Sequence, residues 1–321
     1  MRYLTLILFF TSHIIIFSDE IKHYHTDSIH IESARIIKNF PLYDISDSTL
    51  LIEDKHNIRQ LTGTIPGLFI SDYGSRTSGG LYYRGLGNRH NGSGVVIYVD
   101  GVPLINGIES GINLTDVGEI YLGKQGISVS GLGDIYITSK SVLQPGTDVL
   151  LSFGNANTGR VELTHNGSIK DIYYGVVASG YRSDGFVTNS FNNSLGDSRV
   201  EYSIIFKLDF QLTQAIHNQT RFSFSYLTEN AFQYRLFSDD VLFDFAVNDE
   251  NTYKNKVLMI IENLDFIITD KLKFNSISSF TFFQDEMCLD QDFSIKDYFS
   301  LNQKQRRRVF TEEAKFIYDH D

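Results

Sequence analysis

The stretch IPGLFISDYGSRTSGGLYYRGLGNRHNGSGVVIYVDGVPL, residues 65–104, decides the predicted fold of this chain. Pro66 and Gly67 end the segment before them, because neither residue readily extends a helix. The glycines of residues 72–80 tolerate positive φ and indicate a flexible loop. Short apolar runs at 81–84 and 95–99 are typical of strands, and Asp100-Gly101 is a turn signal.

The order and spacing of these features resemble the plug domain of TonB-dependent outer-membrane receptors. Arg84-Gly85 is similar to the family's isoleucine-arginine-glycine signature, and residues 99–102 are similar to its valine-aspartate-glycine-valine signature. Residues 119–126 and 131–138 resemble two later segments of the family, in a compressed form without the usual arginine and proline. The resemblance implies a small mixed α/β plug at residues 41–146, inside a β-barrel.

Before this stretch, Ile52, Ile58 and Leu61 have roughly helical spacing, which predicts an amphipathic helix that ends at Pro66. After Pro145 the sequence alternates between apolar and polar residues, as strands do. We predict eight strands, at residues 147–153, 160–166, 172–181, 202–212, 220–227, 257–268, 272–283 and 308–318. Alternation with period two fits strands between lipid and a polar lumen, and it equally fits a soluble sandwich.

Eight strands are few for a plugged barrel. A closed eight-stranded barrel is filled by its own side chains, whereas transporters that enclose a plug have about 22 strands. We therefore expect a mainly β chain in which residues 147–321 form only the N-terminal part of an antiparallel transmembrane β-barrel. On this expectation the chain is a truncated receptor.

The first 18 residues indicate that the protein is exported. Arg2 is followed by an uncharged, mostly apolar run to Phe17 and then by Ser18, which is typical of a signal peptide at residues 1–18. A membrane anchor is the alternative, although a spanning helix needs about 20 apolar residues. Residues 19–40 resemble the flexible TonB-box segment that recruits TonB by strand addition. The residues of that box are Asp27, Ser28, Ile29, His30 and Ile31.

Composition and motifs argue against several other functions. The formal net charge of −11 disfavours nucleic-acid binding, which needs an excess of Lys and Arg. No nucleophile elbow or zinc-protease helix motif is present, so we expect no enzyme activity, no cofactor and no metal site. His23, His25 and His30 are more simply solvated than metal-bound. The single cysteine, Cys288, allows no intrachain disulfide.

Two charged segments near the C-terminus leave alternatives open. Asp285, Glu286, Asp290 and Asp292 lack EF-hand spacing, so a solvated acidic loop is favoured over a calcium site. The basic residues of the segment 304–308 precede a predicted strand. They form either a solvated turn or a contact with anionic lipid headgroups.

The family resemblance also implies a site and partners. Plug loops that face outward would bind the ligand, and the side chains to test are Tyr73, Arg76, Asn106 and Glu109. The implied function is energy-coupled uptake of a scarce ligand (an iron chelate, cobalamin or a glycan) across the outer membrane, with TonB and outer-membrane lipid as partners. A secreted β-rich adhesion or structural protein is the alternative.

Overall fold

The computed structural model describes residues 43–46, 57–71, 74–75, 80–87, 96–104, 114–123, 134–235, 237–238, 241–242, 245–248 and 251–318. These residues belong to one compact unit, residues 38–321. The described ranges are mainly β, as predicted. Within them, no helix has the length and apolar content needed to cross a membrane.

The described residues between 43 and 139 form two small sheets, and this part of the chain is called here the N-terminal domain. A five-stranded sheet has the order β1-β7-β8-β5-β6, in which β5 and β8 run parallel, and a three-stranded sheet has the order β2-β3-β4. The elements are β1 (Tyr43–Ser46), a 3₁₀ helix (Ile58–Leu61), β2 (Leu68–Ile70), β3 (Leu81–Tyr83), β4 (Leu86–Gly87), β5 (Ile97–Val99), β6 (Val102–Pro103), β7 (Val117–Gly123) and β8 (Asp134–Ser139). Ile97, Ile120 and Ile135 are fully buried in its core.

The two dipeptides that carried the family resemblance both form hairpin turns. Asp100 and Gly101 have φ values of 48° and 85°, and they connect paired residues of β5 and β6. Arg84 and Gly85 have φ values of 51° and 80°, and they connect β3 to β4. Two consecutive residues with positive φ define the type I′ turn, whose twist matches that of the flanking strands. The predicted strand at 81–84 therefore ends one residue early, at Tyr83.

The predicted amphipathic helix is only partly described, and its described part differs from the prediction. Ile52 lies outside the described residues, whereas Ile58–Leu61 form a single 3₁₀ turn. Residues i and i+3 of a 3₁₀ helix lie on the same side, so Ile58 and Leu61 are both buried. Asn57 begins the turn, since its side chain accepts a hydrogen bond from the Arg59 amide while Gln60 caps the Asn57 amide.

Replacing Asn57 by alanine is expected to lower the free energy of unfolding by about 1 kcal/mol, because it removes this N-terminal cap. Urea unfolding of the full chain measures the loss. N57S retains a capping hydroxyl and serves as the matched control. Equal losses in N57A and N57S would show that the cap contributes nothing.

Eight long strands form the second part of the molecule. They pair in chain order as an antiparallel meander, β9-β10-β11-β12-β13-β16-β17-β18, and the described residues show no pairing between β9 and β18. The strands are β9 (Gly146–Gly154), β10 (Thr158–Ile169), β11 (Ile172–Ser183), β12 (Arg199–Thr213), β13 (Ile216–Asn230), β16 (Thr252–Thr269), β17 (Leu272–Asp290) and β18 (Ser300–Tyr318). A short hairpin, β14 (Phe237–Ser238) and β15 (Val241–Leu242), lies between β13 and β16. All eight predicted strands are confirmed, and most extend beyond their predicted ends.

The large sheet has two different faces. The inner face is the one that contacts the N-terminal domain, and on β12 it carries the buried residues Lys207 and Asp209. The outer face is the opposite one, and on β12 it carries the exposed residues Phe206 and Leu208. Polar residues inward and apolar residues outward are typical of strands between a polar lumen and lipid.

The two ends of the sheet also differ. At one end, called the short-turn end, two-residue turns at 170–171, 214–215 and 270–271 connect the strands. At the other, called the long-connection end, the strands are joined through residues 155–157, 184–198, 231–251 and 291–299. Outer-membrane barrels have short periplasmic turns and longer extracellular loops.

Candidate functional site

The N-terminal domain packs directly on the inner face of β16 and β17. Met259 and Ile261 of β16 belong to the same buried apolar cluster as the core of the N-terminal domain, and Ile277 of β17 packs against it. Gly101 approaches this wall closely, since a Cβ atom there would lie 2.8 Å from Ile277 Cδ1. The apolar core is therefore continuous between the two parts of the chain.

A buried ion pair fixes the start of β7 to the wall. Lys207 Nζ lies 2.6 Å from Asp116 Oδ1, and the two side chains are 8% and 0% exposed. Lys207 Nζ also donates to the main-chain oxygen of Lys140 at 2.7 Å. Burial raises the pKa of Asp116 above its ordinary value, while the Lys207 and Arg221 cations oppose that rise. Burial therefore destabilises the ionised form of Asp116, and the Lys207 cation offsets part of that destabilisation.

A second ion pair starts from the Asp100-Gly101 turn. Asp100 Oδ2 accepts a hydrogen bond from Arg221 Nη1 of β13 at 2.9 Å. The same carboxylate accepts from the Ser139 amide at 2.7 Å and from the Ser139 hydroxyl at 2.6 Å. Asp100 therefore ties a hairpin of the N-terminal domain, the end of β8 and the wall of the sheet to one another.

A cavity of about 260 Å³ lies beside these pairs, between the N-terminal domain and the sheet. Its lining includes Asp100, Ser139, Lys207, Asp209, Arg221 and Asn263. Val142, Leu143 and Ile261 also line it. A cavity of this size with several polar groups has room for waters, so the ion pairs border a space with a mixed polar and apolar lining.

The N-terminal domain also contacts the long-connection end of the sheet. The Phe232 amide donates to Gly74 O at 2.6 Å, and a Cβ atom at Gly74 would lie 2.9 Å from Phe232 Cα. Phe232 itself is buried with Leu227 and Tyr253. Arg59 of the 3₁₀ helix donates to the main-chain oxygen of Ser75. Gly74 and Ser75 are therefore held between the 3₁₀ helix and the connection that follows β13.

The site residues predicted from the sequence lie outside the described residues and stay predictions. They are Asp27, Ser28, Ile29, His30 and Ile31 of the TonB-box-like segment, and Tyr73, Arg76, Asn106 and Glu109 of the outward loops. Sequence reasoning missed the ion-pair role of Asp100 and Asp116. The turn signal located Asp100, but its partner Arg221 is 121 residues away.

Both charged segments near the C-terminus differ from the loop and turn considered for them. Asp285, Glu286 and Asp290 lie on β17, and Asp290 is buried, so a solvated acidic loop is wrong for these three residues. The basic segment 304–308 lies within β18 rather than in a turn. Hydrogen-bond pairing of β17 with β18 continues through both segments. In the part of the chain that the structure describes, no group of His, Cys, Asp and Glu is arranged to hold a metal ion.

Residues 41–134 match the family model described as the TonB-dependent Receptor Plug Domain. The chain carries a TonB-dependent receptor plug domain. The match covers most of the N-terminal domain, including both type I′ turns and the two residues that form the ion pairs with the wall. The family resemblance inferred from residues 65–104 is therefore confirmed, and the N-terminal domain is called the plug below.

Solved structures with the same fold include the plug and the sheet together. The ferric yersiniabactin uptake receptor FyuA from Yersinia pestis aligns with a TM-score of 0.69 at 18% identity, over 89% of this chain and 46% of that one. The siderophore receptor PiuA from Acinetobacter baumannii aligns with a TM-score of 0.66 at 15% identity, over 87% and 42%. FpvA from P. aeruginosa, solved with bound pyoverdines, aligns with a TM-score of 0.62 at 14% identity, over 85% and 38%.

These comparisons define the fold. At such identities the likeness concerns the fold alone, and this chain spans less than half the length of each of the three receptors. A search of curated protein sequences gives no match. The open eight-stranded sheet corresponds to part of the fold of these receptors.

Proposed function

We propose that this chain is the N-terminal portion of a TonB-dependent outer-membrane receptor, which takes up a scarce ligand with energy supplied through TonB. The observation that carries the proposal is the plug docked on the inner face of the sheet. The apolar contact with Met259 and Ile261 and the pairs Asp116–Lys207 and Asp100–Arg221 support it. The chain would contribute binding and gating, and the proposal contains no catalytic step.

The contacts indicate how the plug would be held and released. Breaking the Asp116–Lys207 pair without replacement leaves a buried charge unpaired, so the resting plug is stabilised in its docked position. Lys207 and Arg221 line the cavity beside the pair, so on this proposal water in the cavity would solvate both cations once the plug begins to move. A pull on the N-terminal segment would then be opposed mainly by the apolar contacts.

We propose an iron chelate as the ligand class. The similar structures include an uptake receptor for ferric yersiniabactin and a siderophore receptor, and this chain has the same fold. Polar side chains line the inner face near the long-connection end. There the Tyr253 hydroxyl donates to Asp285 Oδ2 at 3.4 Å, and Arg307 lies over the Phe283 ring at 5.5 Å. Together with Tyr73, Arg76, Asn106 and Glu109, the Arg307 cation would contact an anionic or catecholate chelate.

Fractionation and uptake test this proposal. Cells that express the chain are separated into soluble, inner-membrane and outer-membrane fractions, and iron-chelate uptake is compared in cells with and without TonB. The expected result is a protein in the outer-membrane fraction and, when the strands that complete the barrel are expressed with it, TonB-dependent uptake. Recovery as a soluble or extracellular protein would contradict the proposal and favour the adhesion or structural alternative.

Proline at Ile29 or Ile31 is expected to abolish crosslinking to TonB, because proline removes a main-chain donor that strand addition requires. Site-directed crosslinking to TonB in outer-membrane preparations measures the effect. H23P places the same residue outside the TonB-box-like segment and is the matched control. Crosslinking that persists in I29P and I31P would rule out this segment as the TonB box.

A further inference from the structure

Five exposed cations lie together on the outer face of the sheet at its long-connection end. They are Lys254 and Lys256 on β16, and Lys304, Arg306 and Arg308 on β18. The alternation of the strands places them on one face. Lys256 lies over the ring of Tyr226, and Lys304 contacts Glu286, and both partners belong to the outer face. This group is called the basic patch.

The register of the strands makes the patch compact. Lys254 pairs with Glu286, which pairs with Lys304, so these residues form one row across the sheet. Lys256, Gln284 and Arg306 form the next row. Neighbouring strands are about 4.8 Å apart and same-face residues about 6.7 Å apart, so the five cations cover an area of about 10 by 13 Å.

The charge of the patch is opposite to that of the chain. The whole sequence has a formal net charge of −11, yet on these two described rows Glu286 is the single carboxylate among four cations. Its Oε1 lies 3.3 Å from Lys304 Nζ, so it offsets one cation. Lys254 faces the same carboxylate, whereas Lys256, Arg306 and Arg308 have no carboxylate opposite them in the described register. A surface with such an excess of cations attracts multiply charged anions.

The patch ends at an apolar surface. Arg308 pairs with Phe282, and the next row toward the short-turn end consists of Ile260, Phe280 and Phe310, all exposed. Cations above an apolar row match an amphiphile that carries phosphate on its headgroup and hydrocarbon below it. A soluble anion would use the cations and leave the aromatic row unused.

We propose that the basic patch binds the phosphorylated headgroup of an outer-leaflet glycolipid, with the acyl chains against the Ile260-Phe280-Phe310 row. The inference rests on the proposed function for its location, because the long-connection end of such a sheet faces outward. The five cations would bind the headgroup phosphates by charge-assisted hydrogen bonds, the arginines in a bidentate manner. Charge complementarity and the adjoining apolar row select a lipid over an acidic protein.

The test titrates the full chain, purified in a neutral detergent, with bisphosphorylated lipid A, and native mass spectrometry measures bound lipid. Each cation near an anionic lipid surface contributes about a fivefold factor in affinity. The triple variant K304Q/R306Q/R308Q is therefore expected to lose on the order of a hundredfold, and E286Q is expected to bind more tightly. Monophosphorylated lipid A should bind more weakly than the bisphosphorylated form, and phosphatidylcholine weakest.

The matched control removes three cations from the short-turn end, K170Q/K271Q/K273Q, and gives the same change in net charge. Circular dichroism confirms that both triple variants retain strand content. Equal lipid A affinity in the two triple variants, or no preference over phosphatidylcholine, would overturn the inference, as would an acidic protein that occupies the patch in its place. Because this binding is measured in detergent, its failure is distinct from a failure of outer-membrane localisation or TonB-dependent uptake.

Discussion

Replacing Lys207 by methionine is expected to lower the free energy of unfolding by roughly 3–5 kcal/mol, one of the two largest effects predicted for this chain. Methionine keeps much of the side-chain volume but leaves Asp116, which is 0% exposed, without its cation. Asp116 Oδ2 already has no hydrogen-bond partner in the described part of the chain. The substitution also leaves the Lys140 carbonyl without its donor at 2.7 Å.

The double variant D116N/K207M is the control for this prediction. It removes both charges, and replacing a buried ion pair by neutral groups is often close to neutral for stability. We therefore expect the double variant to recover most of the stability that K207M loses, and urea unfolding of K207M, D116N and the double variant gives the coupling energy. Additive losses would show that the two side chains act independently.

The K207M effect should also depend on pH. Burial raises the pKa of Asp116 above its ordinary value of 3.8, and removing Lys207 removes a cation that opposes this rise. A carboxyl group whose pKa is raised in the folded state costs stability when it is ionised. The extra loss in K207M relative to D116N/K207M should shrink as the pH falls through the raised pKa, and should vanish below about 3.8. A pH-independent difference would contradict the assignment to Asp116.

Replacing Gly74 by alanine is the second substitution with a large expected effect, roughly 2–5 kcal/mol. Gly74 has φ +91°, a conformation that costs a residue with a side chain about 1–2 kcal/mol. The added methyl group would also lie 2.9 Å from Phe232 Cα, which is main chain and cannot rotate away. Overpacking of this kind costs about 1–3 kcal/mol more.

Gly63 offers a matched control for Gly74. It has φ +78°, yet a Cβ atom there would have no neighbour within 4 Å. G63A therefore measures the conformational cost alone, and the difference between G74A and G63A measures the contact with Phe232. Limited proteolysis of the connection 231–251 should speed up in G74A and stay unchanged in G63A. Equal unfolding free energies for the two variants would exclude a contact between the plug and this connection.

The sequence predicted the strands of the large sheet well, because period-two alternation reports directly on which residues share a face. Their ends were less predictable. β17 continues to Asp290 and β18 begins at Ser300, although charged residues at 285–286 and 304–308 interrupt the apolar pattern there. The main-chain hydrogen bonds between β17 and β18 continue where the outer face changes from apolar to charged residues. A prediction based on apolar alternation therefore ends these strands too early.

The candidate site was predictable only in part. The Asp100-Gly101 turn follows from local chemistry, since a two-residue type I′ turn favours this dipeptide. The partners of Asp100 and Asp116 could not be predicted, because alternation assigns Lys207 and Arg221 to a face but not to a contact. A short 3₁₀ turn at Ile58–Leu61 also gives the same apolar spacing as the start of an α-helix.

The long-range ion pairs have a consequence for how the protein assembles. Asp116 precedes Lys207 by 91 residues, and Asp100 precedes Arg221 by 121 residues. Both cations lie on strands that follow the plug in the chain, and contacts of such separation form slowly. Asp100 and Asp116 gain these cations only when β12 and β13 have formed. We therefore expect the plug to dock late in folding, after the strands of its wall have paired.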